Sequence, residues 1–161
     1  RTQLFSEVPF NDELQGVTSG TAMAIVLKST GLIMLPDKPI GSGVRIRITK
    51  PVKDLEFWPV GWEPSQNPGK TAPDLFNELS VEIKNTEISK TVKAIGQRLQ
   101  TPIFFDYASI AKRGINLDKK VNVPAGKIFY KKILDIALSQ AGLHCKVMVD
   151  EANQPLLWIA P

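Results

Sequence analysis

Hydrophobic residues recur with helical spacing in three segments of the chain. In one of them four apolar residues lie at i, i+4, i+7 and i+11, on a single face of a helix: Ile88, Val92, Ile95 and Leu99. This spacing predicts an amphipathic helix near residues 87–100.

The other two helical segments form an internal repeat at an offset of 111 residues, with Gly31-Leu32 on Gly142-Leu143. The offset aligns five further pairs without a gap: Val17 with Ile128, Ala22 with Ile133, Met23 with Leu134, Ile25 with Ile136 and Leu27 with Leu138. Glycine after a run of helical periodicity is typical of a helix C terminus. We predict that both copies are helices ending at this glycine, the second near residues 126–141, with Leu32 and Leu143 pointing inward.

Short aliphatic and β-branched runs flank these helices and predict strands. They are Val8 to Phe10, Leu32 to Leu35, Val44 to Ile48, Leu79 to Ile83, Pro102 to Phe105, Val121 to Val123, Leu143 to Val149 and Leu156 to Ile159. A short helix from Tyr107 to Lys112 is predicted as well, capped by Asp106 and ended by Gly114. Residues 8–48 therefore read as β-α-β-β, and residues 79–159 as β-α-β, a short helix and β-α-β-β.

The predicted fold class is α+β: small βαβ units (βαβ-βαββ) with two helices packed on short mixed sheets, plus an N-terminal half-unit repeat. We divide the chain into a partial repeat unit (1–53), a connector rich in proline and tryptophan (54–75) and a βαβ-βαββ domain (76–161). The twelve prolines and eleven glycines fit many short elements joined by tight turns.

The connector carries three aromatic residues, Phe57, Trp58 and Trp62. They either pack over the junction between the two units or form an exposed patch for a partner. The N-terminal half-unit must also cover an apolar face of its own: Val17, Met23, Ile25 and Leu27. The connector, the helix with Ile88 and Val92, or a second copy of the chain can cover it, and we expect one continuous body.

The net charge of +4 is a mild basic excess. Arg45 and Arg47 alternate with apolar residues in a predicted strand, which places both guanidinium groups on one face, with Lys50 and Lys53 downstream. This stripe is either a solvated strand face or a polyanion site.

Few residues offer catalytic or metal chemistry, since the chain has one cysteine and one histidine. His144 and Cys145 are neighbours in a predicted strand, so their side chains diverge. Asp106 and Asp150-Glu151 stand where a helix cap and a hairpin turn favour acids. Gly41-Ser42-Gly43 precedes a strand instead of the helix that a phosphate loop requires. We expect no enzyme, metal site or cofactor.

The spacing of residues 79–161 resembles the short N-terminal domain of secretins and TonB-dependent receptors. The resemblance is carried by Val81-Glu82-Ile83, the helix with Ile88, Val92 and Ile95, Ile103-Phe104-Phe105-Asp106, Val121-Asn122-Val123, then Leu134, Ala137, Leu138 and Gly142-Leu143, and finally Leu156-Leu157-Trp158-Ile159. It implies two βαβ halves whose helices pack against small sheets. Residues 8–48 resemble only the second half, and the connector is foreign to the pattern.

These observations lead to the expectation of a non-catalytic protein-interaction or scaffolding module of a larger envelope-associated or exported bacterial protein, located in the periplasm or cell envelope. The start at Arg1 is expected to reflect trimming or removal of a leader. The partner is expected to be a protein or another domain of the same polypeptide. It is expected to bind at sheet edges or exposed helix faces, with a candidate surface of Phe57, Trp58, Trp62, Arg45 and Arg47. The alternative is a nucleic-acid-binding module using the basic strand, although it lacks exposed strand aromatics and a Gly-x-x-Gly clamp. No apolar run is long enough to span a bilayer.

Overall fold

The computed structural model describes residues 12–37, 39, 41 and 43–161. Within these residues the fold is α+β with short mixed sheets, as predicted. The N-terminal part consists of helix α1 (Ser19–Ser29) and the strands β1 (Ile33–Asp37) and β2 (Arg45–Thr49). The connector holds a short helix, α2 (Pro68–Thr71), and a 3-10 turn, Pro73–Phe76. The remaining elements are β3 (Glu78–Glu87), α3 (Ile88–Gly96), β4 (Ile103–Phe105), α4 (Tyr107–Lys112), β5 (Lys120–Phe129), α5 (Tyr130–Ser139), β6 (His144–Val149) and β7 (Pro155–Ala160).

The C-terminal strands belong to two separate sheets. β3 pairs with β5 in an antiparallel ribbon, and β7 lies between β4, which runs parallel to it, and β6, which runs antiparallel. The element order β-α-β around α3 is confirmed. Its two strands do not share a sheet, however, because β3 is paired with β5 while β4 is paired with β7.

The helices α3 and α5 share one core with both sheets. Ile88, Val92 and Ile95 of α3 and Leu134 and Leu138 of α5 are all buried there, together with apolar residues of β4, β5, β6 and β7. Burying an aliphatic side chain of this size contributes roughly 1.5–3 kcal/mol, so both apolar helix faces contribute substantially to the stability of this region.

The predicted repeat has the same helix ending in both copies. The Leu27 carbonyl accepts a hydrogen bond from Leu32 N at 2.8 Å, and the Leu138 carbonyl accepts one from Leu143 N at 3.0 Å. Both glycines between them are left-handed, Gly31 with φ +74° and Gly142 with φ +71°. This is the Schellman arrangement. Leu32 and Leu143 are both buried, so this part of the prediction is confirmed.

The helix bounds are shorter than the periodicity predicted. α5 begins at Tyr130 instead of near residue 126, because residues 126–129 continue β5 and pair with β3. α3 ends at Gly96, and Leu99 packs on the core from the following turn instead of from the helix. The predicted strand from Val8 to Phe10 lies outside the described residues.

The apolar face of α1 packs on the side of the three-stranded sheet that faces away from α3 and α5. Neighbours in β4 and β7 alternate between the two sides, so Phe104, Leu156 and Trp158 contact Ile25 and Val60, while the residues after them enter the core of α3 and α5. The two parts thus form one continuous body, as expected. The helix with Ile88 and Val92 does not provide the cover, since the sheet separates it from α1.

The connector supplies the rest of the cover. Trp58 packs over Leu27, Leu32 and Met34. Met23 was expected to be covered as well, but it is 43% exposed, because its position on α1 turns away from both the sheet and the connector.

Acidic side chains of the β6–β7 turn hold the start of α1. Thr18 N donates to Asp150 Oδ2 at 2.9 Å, and Glu151 accepts from Gly20 N at 2.9 Å and from the Thr21 hydroxyl at 2.6 Å. A Cβ on Gly20 would lie 2.5 Å from Glu151 Oε1, so glycine permits this approach. Glu151 therefore caps a helix about 130 positions earlier in the chain, a role that the turn prediction did not include.

Candidate protein-interaction surface

β2 is an edge strand whose two faces are both exposed. It pairs antiparallel with β1, with Arg45 opposite Asp37, Arg47 opposite Leu35 and Ile48 opposite Met34. β1 is buried at Ile33, Met34 and Leu35, whereas every residue of β2 except Thr49 is exposed.

Three large apolar side chains of this strand and its start face solvent. Val44 is 69% exposed, Ile46 59% and Ile48 52%. Apolar residues that alternate in a strand normally indicate a buried face, so their exposure on a paired strand marks a surface that another element can cover.

The basic residues of β2 lie on its opposite face. Arg45 and Arg47 alternate with Ile46 and Ile48 in the observed register, which confirms that the two guanidinium groups share a face. Both are exposed, and neither forms an ion pair with another described residue.

The unpaired backbone groups of β2 can be located from its neighbour. The Met34 carbonyl accepts a hydrogen bond from Trp58 N at 2.8 Å, so Met34 directs its backbone groups away from β2. Ile48 stands opposite Met34 in a pair without mutual hydrogen bonds, and its own N–H and carbonyl therefore point to the outer edge. Ile46, two residues away, has the same orientation.

Each edge of the three-stranded sheet is blocked at one position by another segment of the chain. On the β4 side, Asp12 accepts hydrogen bonds from Phe105 N at 3.1 Å and from the Tyr107 hydroxyl at 2.7 Å. Burial raises the pKa of Asp12, against the lowering effect of these two bonds. On the β6 side, Trp62 and Val149 exchange backbone hydrogen bonds of 2.8 and 3.0 Å. A partner strand cannot reach these edges at the positions that Asp12 and Trp62 occupy.

The ribbon of β3 and β5 is irregular along its length. Its register shifts twice, between Val81 and Ile83 and between Ile83 and Thr86, and Asn85 has a positive φ of 51°. Bulges of this kind twist a strand edge and oppose further pairing. β2 lacks such a shift, which makes it the more regular exposed edge.

The predicted connector aromatics do not form one exposed patch. Trp58 is half-buried and packs edge-on against Trp62, with ring centroids 5.6 Å apart, while Phe57 is 45% and Trp62 38% exposed. Trp58 therefore packs over the junction, whereas the other two remain accessible. Trp62 pairs with Val149 of β6 through its backbone.

A cavity of about 490 Å³ lies at the junction of α1, the connector and α4. Phe57, Trp58 and Trp158 are among its walls. Lys28 lies beside it, with Nζ 3.4 Å from Asp106 Oδ2 and 5.7 Å from the centre of the Trp158 ring. Lys28 and Asp106 thus pair with each other at this cavity, whereas the buried Nε1 of Trp58 has no hydrogen-bond partner among the described residues.

The residues considered for chemistry take the positions predicted for them. His144 is exposed and Cys145 buried, so their side chains diverge, and burial raises the pKa of the Cys145 thiol to about 12. Asp106 caps α4 by accepting from Ser109 N at 3.0 Å. Asp150 closes the β6–β7 turn by accepting from Ala152 N and Gln154 N. No group of three or more potential metal ligands occurs in the described part of the chain.

The glycine loop before β2 leads into a strand, as predicted. Gly41 has a φ of +77°, and the chain enters β2 at Arg45 without an intervening helix. Ser42 lies outside the described residues.

Two features of the sheet edges could not be predicted from the sequence. The exposure of Val44, Ile46 and Ile48 has no signature in the sequence, because the same alternation is found in strands that bury one face. Asp12 was missed as well, since its partners Phe105 and Tyr107 are more than ninety positions away.

No protein-family model matches the chain, and neither the curated proteins nor the solved structures contain a match. Among the described residues, no helix has the length and apolar character needed to cross a bilayer.

Proposed function

We propose that this chain is a non-catalytic interaction module of a larger exported or envelope-associated bacterial protein, and that it docks a protein partner by adding a strand to β2. The observation that carries the proposal is an edge strand with Val44, Ile46 and Ile48 all more than half exposed. Unpaired N–H and carbonyl groups at such an edge provide affinity, and alternate side chains provide selectivity.

The energetics favour docking over continued exposure. Fully burying an isoleucine side chain contributes roughly 1.5–3 kcal/mol, and Ile46 and Ile48 still expose more than half of theirs. Covering both, together with Val44, therefore yields several kcal/mol before the cost of ordering the partner.

The resemblance to the short N-terminal domain of secretins and TonB-dependent receptors supports the same proposal. The chain has the element order β3-α3-β4, α4 and β5-α5-β6-β7, with α3 and α5 packed on short sheets. A periplasmic or cell-envelope location belongs to the proposal and rests on this resemblance.

The test is site-specific photo-crosslinking in the full-length polypeptide, produced in its own cells. A crosslinking amino acid at Ile46 is expected to give a discrete adduct with one protein or with another domain of the same polypeptide. The matched control is the same amino acid at Lys132, which is exposed on α5. Adducts of equal yield at both positions, or none at Ile46, would overturn the proposal.

Nucleic-acid binding is the second candidate, and the exposed Arg45 and Arg47 are the observation that favours it. The apolar face of the same strand disfavours it, because Ile46 and Ile48 offer neither a phosphate contact nor a stacking ring. Crosslinking of Ile46 to RNA or DNA instead of protein would select this candidate.

A further inference from the structure

We infer that the strand received by β2 carries acidic residues alternating with apolar ones. This inference rests on the proposed function and specifies the chemistry of the partner. It follows from the two unlike faces of β2, the arginine face with Arg45 and Arg47 and the isoleucine face with Val44, Ile46 and Ile48.

Strand pairing transmits this alternation to the partner. In an antiparallel pair, directly opposite residues lie on the same face of the sheet with Cβ atoms roughly 4.5–5.5 Å apart. A strand added at the outer edge therefore places every second side chain beside Ile46 or Ile48, and the others beside Arg45 or Arg47. Apolar residues fit the first set and carboxylates fit the second.

Neither arginine of this face forms an ion pair with an acid among the described residues. Arg47 stands opposite Leu35 in β1, and although Arg45 stands opposite Asp37, the two form no ion pair. Residues 44–53 contain four basic residues and no acidic one, and the acids Asp54 and Glu56 come only afterwards. A carboxylate from outside is the complement that this segment lacks.

A second copy of the chain fits this edge less well than an acidic strand. Antiparallel pairing of two β2 strands centred on Arg47 places Arg47 against Arg47, and centring on Ile46 places Arg45 against Arg47. Like charges directly opposite each other destabilise a strand pair. Repulsion disfavours these two registers, whereas an acidic strand places opposite charge beside Arg45 and Arg47.

Three labelled synthetic peptides test the inference on the full chain. One alternates glutamate and valine over eight residues, the second alternates lysine and valine, and the third has the glutamates and valines in two blocks. Fluorescence anisotropy should show that the chain binds the first peptide at least tenfold tighter than the others, and less tightly as salt increases. Hydrogen exchange at Ile46 N–H and Ile48 N–H should slow when that peptide binds.

Charge reversal supplies the decisive variants. Arg45→Glu/Arg47→Glu should invert the preference, so that the lysine-valine peptide binds at least tenfold tighter than the glutamate-valine peptide. The control Lys93→Glu/Lys132→Glu changes the net charge by the same amount at exposed helix positions and should leave the preference unchanged. Circular dichroism of each variant establishes that it is folded.

Several results would overturn the inference. Equal or tighter binding of the lysine-valine peptide would reject the acidic partner while leaving strand addition intact, since the crosslink at Ile46 tests strand addition separately. Binding of the glutamate-valine peptide that survives arginine reversal would place it elsewhere. Slow hydrogen exchange of the Ile46 and Ile48 amides in the free chain would mean that the edge of β2 is already paired. Tighter binding of a dodecathymidine oligonucleotide than of any peptide would identify a polyanion-binding surface.

Discussion

Replacing Glu151 tests whether the β6–β7 turn holds the N-terminal helix in place. The side chain accepts hydrogen bonds from Gly20 N at 2.9 Å and from the Thr21 hydroxyl at 2.6 Å, whereas α1 has no capping side chain of its own. Loss of a capping side chain costs roughly 0.5–2 kcal/mol of stability. Because Glu151 is largely exposed, solvent screens its charge, and we expect Glu151→Ala to lower the free energy of unfolding by about 1 kcal/mol.

Glu151→Gln separates the hydrogen bonds from the charge. Its amide oxygen can still accept from Gly20 N, so about half of the stability should be retained. Burial raises the pKa of Glu151, but hydrogen bonds, among them those from the Thr21 hydroxyl and Gly20 N, outweigh it, and the net pKa lies below the ordinary value of 4.5. The stabilisation by the carboxylate is therefore present above pH 4.5 and is lost as the pH falls through the lowered pKa. The difference in the free energy of unfolding between wild type and Glu151→Gln should become smaller over that pH range.

Urea unfolding followed by tryptophan fluorescence measures these differences, because Trp58 and Trp158 lie at the interface that α1 covers. The control is Glu63→Ala, which removes an acid with a side chain 87% exposed in a 3.5 Å pair with Lys146. It should change stability by less than about 0.3 kcal/mol. Equal effects of Glu151→Ala and Glu63→Ala would refute capping across the chain.

Three further predictions follow from other contacts. Gly31→Ala and Gly142→Ala should each lower the free energy of unfolding by about 1–2 kcal/mol, because both glycines are left-handed. An added Cβ meets no atom within 4 Å at either position, so the backbone conformation alone sets the cost. Unequal losses in urea unfolding would contradict an equivalent helix ending. Asp12→Asn should be less destabilising in thermal unfolding than Asp12→Ala, because the amide oxygen can still accept a hydrogen bond. The neutral amide also avoids the cost of burying a charged carboxylate, which raises the pKa of Asp12. A larger loss of stability in Asp12→Asn than in Asp12→Ala would contradict this. Cys145 should react with iodoacetamide at pH 7.5 at least about a hundredfold more slowly in the folded chain than in urea, because the thiol is buried. Mass spectrometry measures both rates. Similar rates would show that β6 opens readily.

The amino-acid pattern was sufficient to locate α1, α3, α4 and α5, the glycine endings of α1 and α5, and the turn before β7. Apolar spacing located α3 and α5, the Gly-Leu pairs located the ends of α1 and α5, and Asp106 predicted the start of α4. Each of these features depends on contacts within a few residues, such as the bond from Leu32 N to the Leu27 carbonyl. Such contacts depend only on residues that are close in sequence, so the internal repeat could be aligned without a structure.

Strand pairing and the exposure of surfaces depend on contacts between distant parts of the chain, which the local pattern does not contain. β3 joins β5 instead of β4, and this pairing extends β5 through residues 126–129, where helical periodicity had predicted α5. The same alternation of apolar and polar residues occurs in β5, where Val121 and Val123 are buried, and in β2, where Ile46 and Ile48 are exposed. Periodicity gives the face on which a side chain lies, but burial depends on what packs against that face. No described part of the chain covers Ile46, whereas Glu151 contacts Gly20 and Thr21, about 130 positions earlier in the chain.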